Sequence, residues 1–370
     1  MTEPLRIVIL GLSVTSSWGN GHATNYRGLM KALSQRGHSV LFLERDVPWY
    51  ASQRDLPEPP YGRTVLYDSL AQLYDAHDQD VRDADLVVVG SYVPEGVEVG
   101  KWVTSQARGV TAFYDIDTPV TLAKLARGDQ EYLAPQQIAC YDVYLSFTGG
   151  PTLNRLESEY GARRARAFYC IADPEALWPE PGGTRWDLGY LGTYSDDRQP
   201  ALDELLVRAA RLDPALSMVV AGPQYPEDIN WPVNVQRIDH LAPAHHRGFY
   251  NSQRFTLNIT RRDMVSAGYS PSVRLFEAAA CGVPVISDAW PGLEEFFVLG
   301  EEILIAGSAE ETLQHVCSTS DEERREIGER ARQRVLNEHT AEHRVRELET
   351  YVDEVRRGRP HLGSPARMAT

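Results

Sequence analysis

Short, uninterrupted apolar runs alternate with helical segments through the first half of the chain. Arg6–Gly11 (RIVILG), Val40–Glu44, Leu86–Val89, Val110–Tyr114 and Val143–Phe147 are such runs. A strand covered on both faces shows no polar alternation, so runs of this kind between helices specify a parallel sheet with helices on both sides. Thr24–Leu33 reads as one of those helices, with Leu29, Met30 and Leu33 inward and Gly37 as its stop. Periodicity disappears between Asp173 and Arg185 (DPEALWPEPGGTR), where three prolines and a glycine pair mark a linker. The alternation then restarts at Leu188–Gly192, Met218–Ala221, Val233–Gln236, Phe255–Asn258 and Val283–Ser287. With 370 residues, the chain is read as two α/β domains of similar size facing each other across a cleft, residues 1–172 and 186–340. Clefts between domains are where small ligands bind.

Composition narrows the task. The net charge of −15 argues against nonspecific nucleic-acid binding as the main role. No run approaches eighteen apolar residues, so no membrane span is expected. The first residues enter a strand pattern directly, without signal-peptide regions, which points to the cytoplasm. Cys140, Cys170, Cys281 and Cys317 form no CxxC pair and are read as buried thiols rather than zinc ligands. The charged segment from Asp321 to Arg357 carries Ile327, Val335, Val345, Leu348 and Val352 at helical intervals, and residues 358–370 are expected to be disordered.

The segment from Ala267 to Asp288 (AGYSPSVRLFEAAACGVPVISD) joins a small-residue turn, a short helix and an apolar strand. Ser270 reads as the N-cap and Pro271 as the first helical residue, leaving the amides of Ser272 and Val273 without intrahelical partners. A helix start of this kind favours an anion. Val273, Phe276 and Ala280 mark the buried face, and Arg274, Glu277 and Cys281 share another. A surface Arg274–Glu277 pair is the plainer alternative for those charges.

Three further groups lie at strand ends. The loop from Leu12 to His22 follows the first strand, is rich in small polar residues and includes Gly19 and Gly21. Its spacing is not that of a dinucleotide loop, but its amides and His22 could meet an anion or a sugar. Asp115 and Asp117 could share a divalent ion or, on an extended chain, point to opposite faces so that one serves the cleft as a base. Gly192 and Thr193 open the second domain, followed by Arg198, and Arg261–Arg262 follow a later strand; Arg198 and Arg261 are candidate phosphate ligands. The proline-rich loop Asp46–Gly62 carries Trp49, Tyr50 and Tyr61, which could stack on an acceptor.

GYSPSVRLFEAAACGVPVISD, preceded by LNITRRDM and DLGYLGTYSDDR, resembles the C-terminal domain of CgeB-like glycosyltransferases, which are related to the family-four sugar-nucleotide transferases of GT-B fold. GNGHATNYRGLMKAL, YDIDTP and DVYLSFTGGPTLNRLESEYGA are similar to the N-terminal domain of the same proteins. The resemblance implies two Rossmann-like domains and a terminal helix, residues 341–357, crossing back to the first. It implies a nucleotide-diphosphate-sugar donor, Glu277 on the ribose, the amides near Ser272 and Val273 on the diphosphate, and Arg198 and Arg261 neutralising phosphate. No cofactor or metal is expected, and retention of configuration is the family outcome. If the reaction inverts, Asp115, Asp117 and His22 are the candidate bases. The acceptor (glycan, protein, nucleic acid or small molecule) is open. The family carries a second glutamate eight residues before Glu277, beside the donor sugar, and here that position is Tyr269. A nucleotide-sugar epimerase and a noncatalytic sugar-nucleotide-binding protein are the alternatives.

Overall fold

The computed structural model describes residues 3–19 and 21–358, so the tail expected to be disordered lies outside the described residues apart from Gly358, which ends a helix. The first sheet has seven parallel strands, β1 (Arg6–Gly11), β2 (Ser39–Arg45), β3 (Arg63–Tyr67), β4 (Leu86–Gly90), β5 (Val110–Asp115), β6 (Val143–Ser146) and β7 (Ala165–Ala167), in the order β3-β2-β1-β4-β5-β6-β7. The second has six, β8 (Trp186–Leu191), β9 (Met218–Ala221), β10 (Val235–Ile238), β11 (Gln253–Asn258), β12 (Val285–Ser287) and β13 (Leu304–Ile305), also all parallel, in the order β10-β9-β8-β11-β12-β13. In both sheets the order reverses beside the first strand, at β1/β4 and at β8/β11, and such switch points open crevices at the carboxyl ends of strands. The α/β class with two Rossmann-like domains and a cleft is therefore the observed architecture.

The central apolar runs are fully buried: β4, β5, β6 and β9 expose no residue. One expected strand shifts. Val233 is fully exposed, and the strand runs from Val235 to Ile238, because Asn234 turns its amide onto the carbonyls of Ala210, Asp213 and Leu216 and closes a loop there. The cysteines divide, with Cys170 and Cys281 buried but Cys140 and Cys317 exposed, so the expectation of four buried thiols is half wrong. No described helix is long and apolar enough to cross a membrane.

The charged C-terminal segment forms two helices, Asp321–Glu338 and Ala341–Gly358. The second returns to the first domain and packs along the helix His22–Gln35 through buried Val345, Leu348, Val352 and Val355. Glu349 accepts from Arg36 Nη2 (2.7 Å) and pairs with His38 Nε2 (2.9 Å). His38 Nδ1 accepts from the Leu5 amide, so the proton on this ring faces Glu349. Between the domains, Phe296 meets Tyr169 edge-on at 4.8 Å, while within the second Phe276 stacks on His339 at 4.4 Å.

Candidate functional site

Loops from the carboxyl ends of both sheets line a cleft of about 650 Å³. The first domain contributes Gly19, Gly21, His22, Tyr92 and Asp117, and the second contributes Gly192, Thr193, Arg198, Arg261, Ser272, Val273, Arg274 and Glu277. These stretches follow β1, β4, β5, β8 and β11 or belong to the helix Val273–Ala280.

Glu277 is buried at the cleft wall, inside a helix that is otherwise apolar apart from Arg274. Its Oε2 accepts from Tyr250 Oη at 2.9 Å and lies 3.5 Å from His246 Nδ1. Among the described residues Oε1 has no protein donor, which leaves a carboxylate oxygen for hydroxyl groups of a ligand. Burial disfavours the charged form of His246, yet the neighbouring Glu277 carboxylate outweighs it, and the histidine pKa is raised. Tyr250 and His246 come from the helix His246–Asn251. Sequence reasoning missed both, since they sit on no motif and reach Glu277 only through the fold.

Arg274 does not pair with Glu277. It turns back to donate from Nε to the Leu191 carbonyl (2.6 Å) and from Nη1 to Asn258 Oδ1 (2.8 Å), with its guanidinium 4.5 Å over the Tyr190 ring. A Cβ at Gly192 would lie 2.9 Å from its Nη2, so the glycine makes room for this arginine. Gly222 (φ +140°) is needed just as much, because a Cβ there would sit 2.0 Å from the Gly192 carbonyl oxygen. Arg198 donates from Nη2 to the Thr193 carbonyl (2.6 Å), while its Nε is buried without a partner. Among the described residues neither Arg198, Arg261 nor Arg274 is within ion-pair distance of a carboxylate, in a chain where carboxylates outnumber Lys and Arg by 52 to 37. Three arginines whose charge no described carboxylate offsets thus stand on one cleft wall, a chemistry that suits an anion.

The helix start differs from the expected one. Ser272, not Ser270, precedes the first helical residue, Val273. The Ser272 hydroxyl donates to Asn258 Oδ1 at 2.7 Å, which leaves the first amides of the helix uncapped by side chains and open to the cleft. Ser270 is fully buried and bonds Thr148 of the first domain (2.8 Å), so it is a domain contact rather than a donor ligand. Tyr269 also departs from its expected place beside a donor. Its ring is held between Gly150 and Gly292, where a Cβ on either glycine would lie 2.4 Å from the ring, and it does not line the cleft.

In the first domain, Asp115 and Asp117 separate as alternating positions do. Asp115 is fully buried off the cleft, accepting from Tyr144 Oη and from Thr121 Oγ1 (2.8 Å). Burial pushes its pKa up to about 6, against the hydrogen bonds from Tyr144 and Thr121 and with help from Asp117. It is therefore corrected from a candidate base to a buried structural carboxyl. Asp117 faces the cleft and accepts from Tyr92 Oη at 3.2 Å. Tyr92 holds a left-handed backbone (φ +63°), which aims its ring at His22, 5.3 Å away. His22 is buried with Nδ1 unpartnered, and burial lowers its pKa despite the nearby Asp117, so its ring is neutral at pH 7. The serine-rich loop offers less to an anion than expected. Glu44 already takes the amides of Val14 (2.6 Å) and Thr15 (3.0 Å) and the hydroxyls of Ser13 and Thr15. The first domain thus fills its own switch-point amides with an internal carboxylate, whereas the helix start at Ser272–Val273 in the second has no side-chain cap.

Residues 198–350 match a family model described as glycosyl transferase-like. No curated protein matches the sequence. Solved structures match over nearly the whole chain: sucrose-phosphate synthase from Thermosynechococcus elongatus (15% identity, TM-score 0.67, covering 96% of this chain and 100% of that one); Anabaena HepE in complex with UDP and glucose (13%, 0.70, 94% and 99%); and an alpha-glucosyltransferase in complex with UDP and a 13-mer DNA containing an HMU base (14%, 0.69, 95% and 100%). The fold is that of GT-B glycosyltransferases.

Proposed function

We propose that the protein is a glycosyltransferase of the CgeB-like kind, moving a sugar from a nucleotide-diphosphate-sugar to an acceptor hydroxyl. The observation that carries this reading is the wall formed by Arg198, Arg261 and Arg274 beside the open helix start at Ser272–Val273, on the same helix as Glu277, whose Oε1 has no described protein donor. The arginines and amides suit a diphosphate. Glu277, steadied by Tyr250 and His246, suits the two ribose hydroxyls. UDP is the first nucleotide to test, because HepE and the alpha-glucosyltransferase hold it in GT-B folds.

In the reaction the bond from the sugar C1 to the diphosphate oxygen breaks and a bond from C1 to the acceptor oxygen forms. The charge gathering on the departing diphosphate meets fixed guanidinium groups and helix amides in a partly buried cleft, where they act strongly. That supply of positive charge supports a metal-independent reaction. We propose retention of configuration, following the resemblance, with the acceptor proton passing to the departing phosphate oxygen. His22 and Asp117, on the opposite wall, orient the sugar and acceptor. The turning of Tyr269 away from the cleft favours one second reading, a protein that binds sugar nucleotides without transferring them.

Incubation of the protein with nucleotide sugars and a pool of acceptors, followed by NMR of the products, separates the two. Release of nucleoside diphosphate with a new glycoside of unchanged anomeric configuration, undiminished by a chelator, is the expected result. Tight donor binding with neither transfer nor hydrolysis would leave the noncatalytic reading standing.

A further inference from the structure

Beside His22 the cleft wall continues into an aromatic ledge for which the donor reading has no use. Trp18 and Trp49 meet edge to face with centroids 4.6 Å apart, and the next residue, Tyr50, lines the cleft with Ser17, Gly19 and Gly21. Trp49 is 57% exposed. The other exposed tryptophan among the described residues, Trp178, is covered by the Arg247 guanidinium at 3.6 Å, whereas no described cation lies over Trp49.

This exposure belongs to a pinned loop. The segment carrying Trp49 is stitched to the Ser13–Trp18 loop by Ser16 Oγ to the Gln53 carbonyl (2.7 Å), the Ser17 amide to Asp55 (2.8 Å) and the Leu56 amide to the Thr15 carbonyl (3.1 Å). Arg27 braces it with two bonds to Asp55 (2.8 and 3.0 Å). Large apolar surface held rigidly open next to a cleft marks a binding surface.

Charge selects the occupant. The arginines beside the ledge are already neutralised, Arg27 by Asp55 (2.8 Å) and Arg54 by Asp46 (2.6 Å). Among the described residues neither of these two arginines is left to supply the positive charge that a nucleic acid or a phosphorylated acceptor needs at the ledge. Indole faces attract the polarised C–H groups on the flat side of a sugar ring, and paired Arg–Asp groups at the rim suit hydroxyls. We propose that Trp18, Trp49 and Tyr50 form the acceptor subsite, and that the acceptor is a neutral glycan stacked on Trp49 with a hydroxyl presented towards His22. This rests on the glycosyltransferase reading for its chemistry, but its binding test does not need turnover.

Saturation-transfer NMR on the full chain, with and without UDP, tests it using maltotriose, cellotriose and chitotriose as neutral probes and an eight-nucleotide oligo(dT) as the charged one. Transfer to the ring protons of a neutral trisaccharide is expected, weakened about fivefold or more in Trp49→Ala and largely restored in Trp49→Phe. UDP affinity should be the same in all three proteins. The proposal is overturned if none of the trisaccharides receives saturation, if Trp49→Ala binds them as well as the parent, or if oligo(dT) binds and the trisaccharides do not. Loss of the UDP signal with glycan binding intact would instead strike the donor reading alone.

Discussion

Buried Glu277 and half-buried His246 form an acid–base pair whose balance is set chiefly by one charge. The histidine pKa is raised above its ordinary 6.5 even though burial opposes it, because the Glu277 carboxylate faces it, with the Leu241 carbonyl, the Tyr250 ring and the more distant Asp55 around it. A raised folded-state pKa adds stability that is fully present below the unfolded value and is lost as pH rises through the folded value. In Glu277→Gln the raising charge is gone and burial remains, so the His246 pKa should fall below 6.5, to be read from its ring-proton shifts in an NMR titration. The same variant should weaken nucleoside-diphosphate affinity by about tenfold to a hundredfold, the range for a hydrogen bond to a charged group. Unchanged affinity would remove Glu277 from the ribose.

At the scale of elements, the turn before the helix Val273–Ala280 joins the two domains. The Tyr269 amide donates to the Pro291 carbonyl (2.7 Å), its carbonyl accepts from the Gly149 amide (2.9 Å), and its own backbone is left-handed (φ +50°). Gly150 and Gly292 (φ +55° and +88°) clear the space for its ring. Tyr269→Ala should cost about 2–3 kcal/mol in chemical denaturation, because it empties a half-buried slot between two domains. Gly150→Ala should cost a similar amount, since a Cβ both meets the ring and strains a left-handed residue. A small effect from both would mean that the domains do not rely on this clasp.

These elements also show what the sequence makes legible. Strands buried on both faces announce themselves as unbroken apolar runs, so the central strands of both sheets are readable from the chain, whereas the edge strands β3, β7 and β13, which are short or only partly buried, are missed; Glu277 stands out as a lone acid in an apolar helix. The helix start is misread by two residues, because Ser270 and Ser272 both suit a cap and only the fold gives Ser270 to Thr148. Asp115 and Asp117 look alike in sequence, and their difference is a matter of which face of one strand end is covered. Tyr250, His246 and the internal anion Glu44 act across the fold, where no local pattern records them.

For the whole molecule, the last helix makes the two domains one unit. Arg344 is buried and donates to the Tyr169 carbonyl (3.2 Å), Arg166 meets Glu354 (3.0 Å) and Arg356 meets Asp85 (2.8 Å), alongside the apolar seam on the helix His22–Gln35. Truncation after Thr340 would uncover that seam next to the helix that begins with His22. It should lower the melting temperature and produce dye-binding, self-associating protein, as uncovered apolar patches do. A truncated protein as stable and monodisperse as the parent would show that the helix is dispensable.

The central claim is that the open wall of the second domain exists for a nucleoside diphosphate. Isothermal titration calorimetry of UDP, the other nucleoside diphosphates and UMP, on the parent and on Arg198→Ala, Arg261→Ala and Arg274→Ala, tests it directly. At least one diphosphate should bind, more tightly than its monophosphate, and each arginine variant should lose about tenfold to a hundredfold in affinity. Absence of binding by every diphosphate, or affinities indifferent to all three arginines, would contradict it.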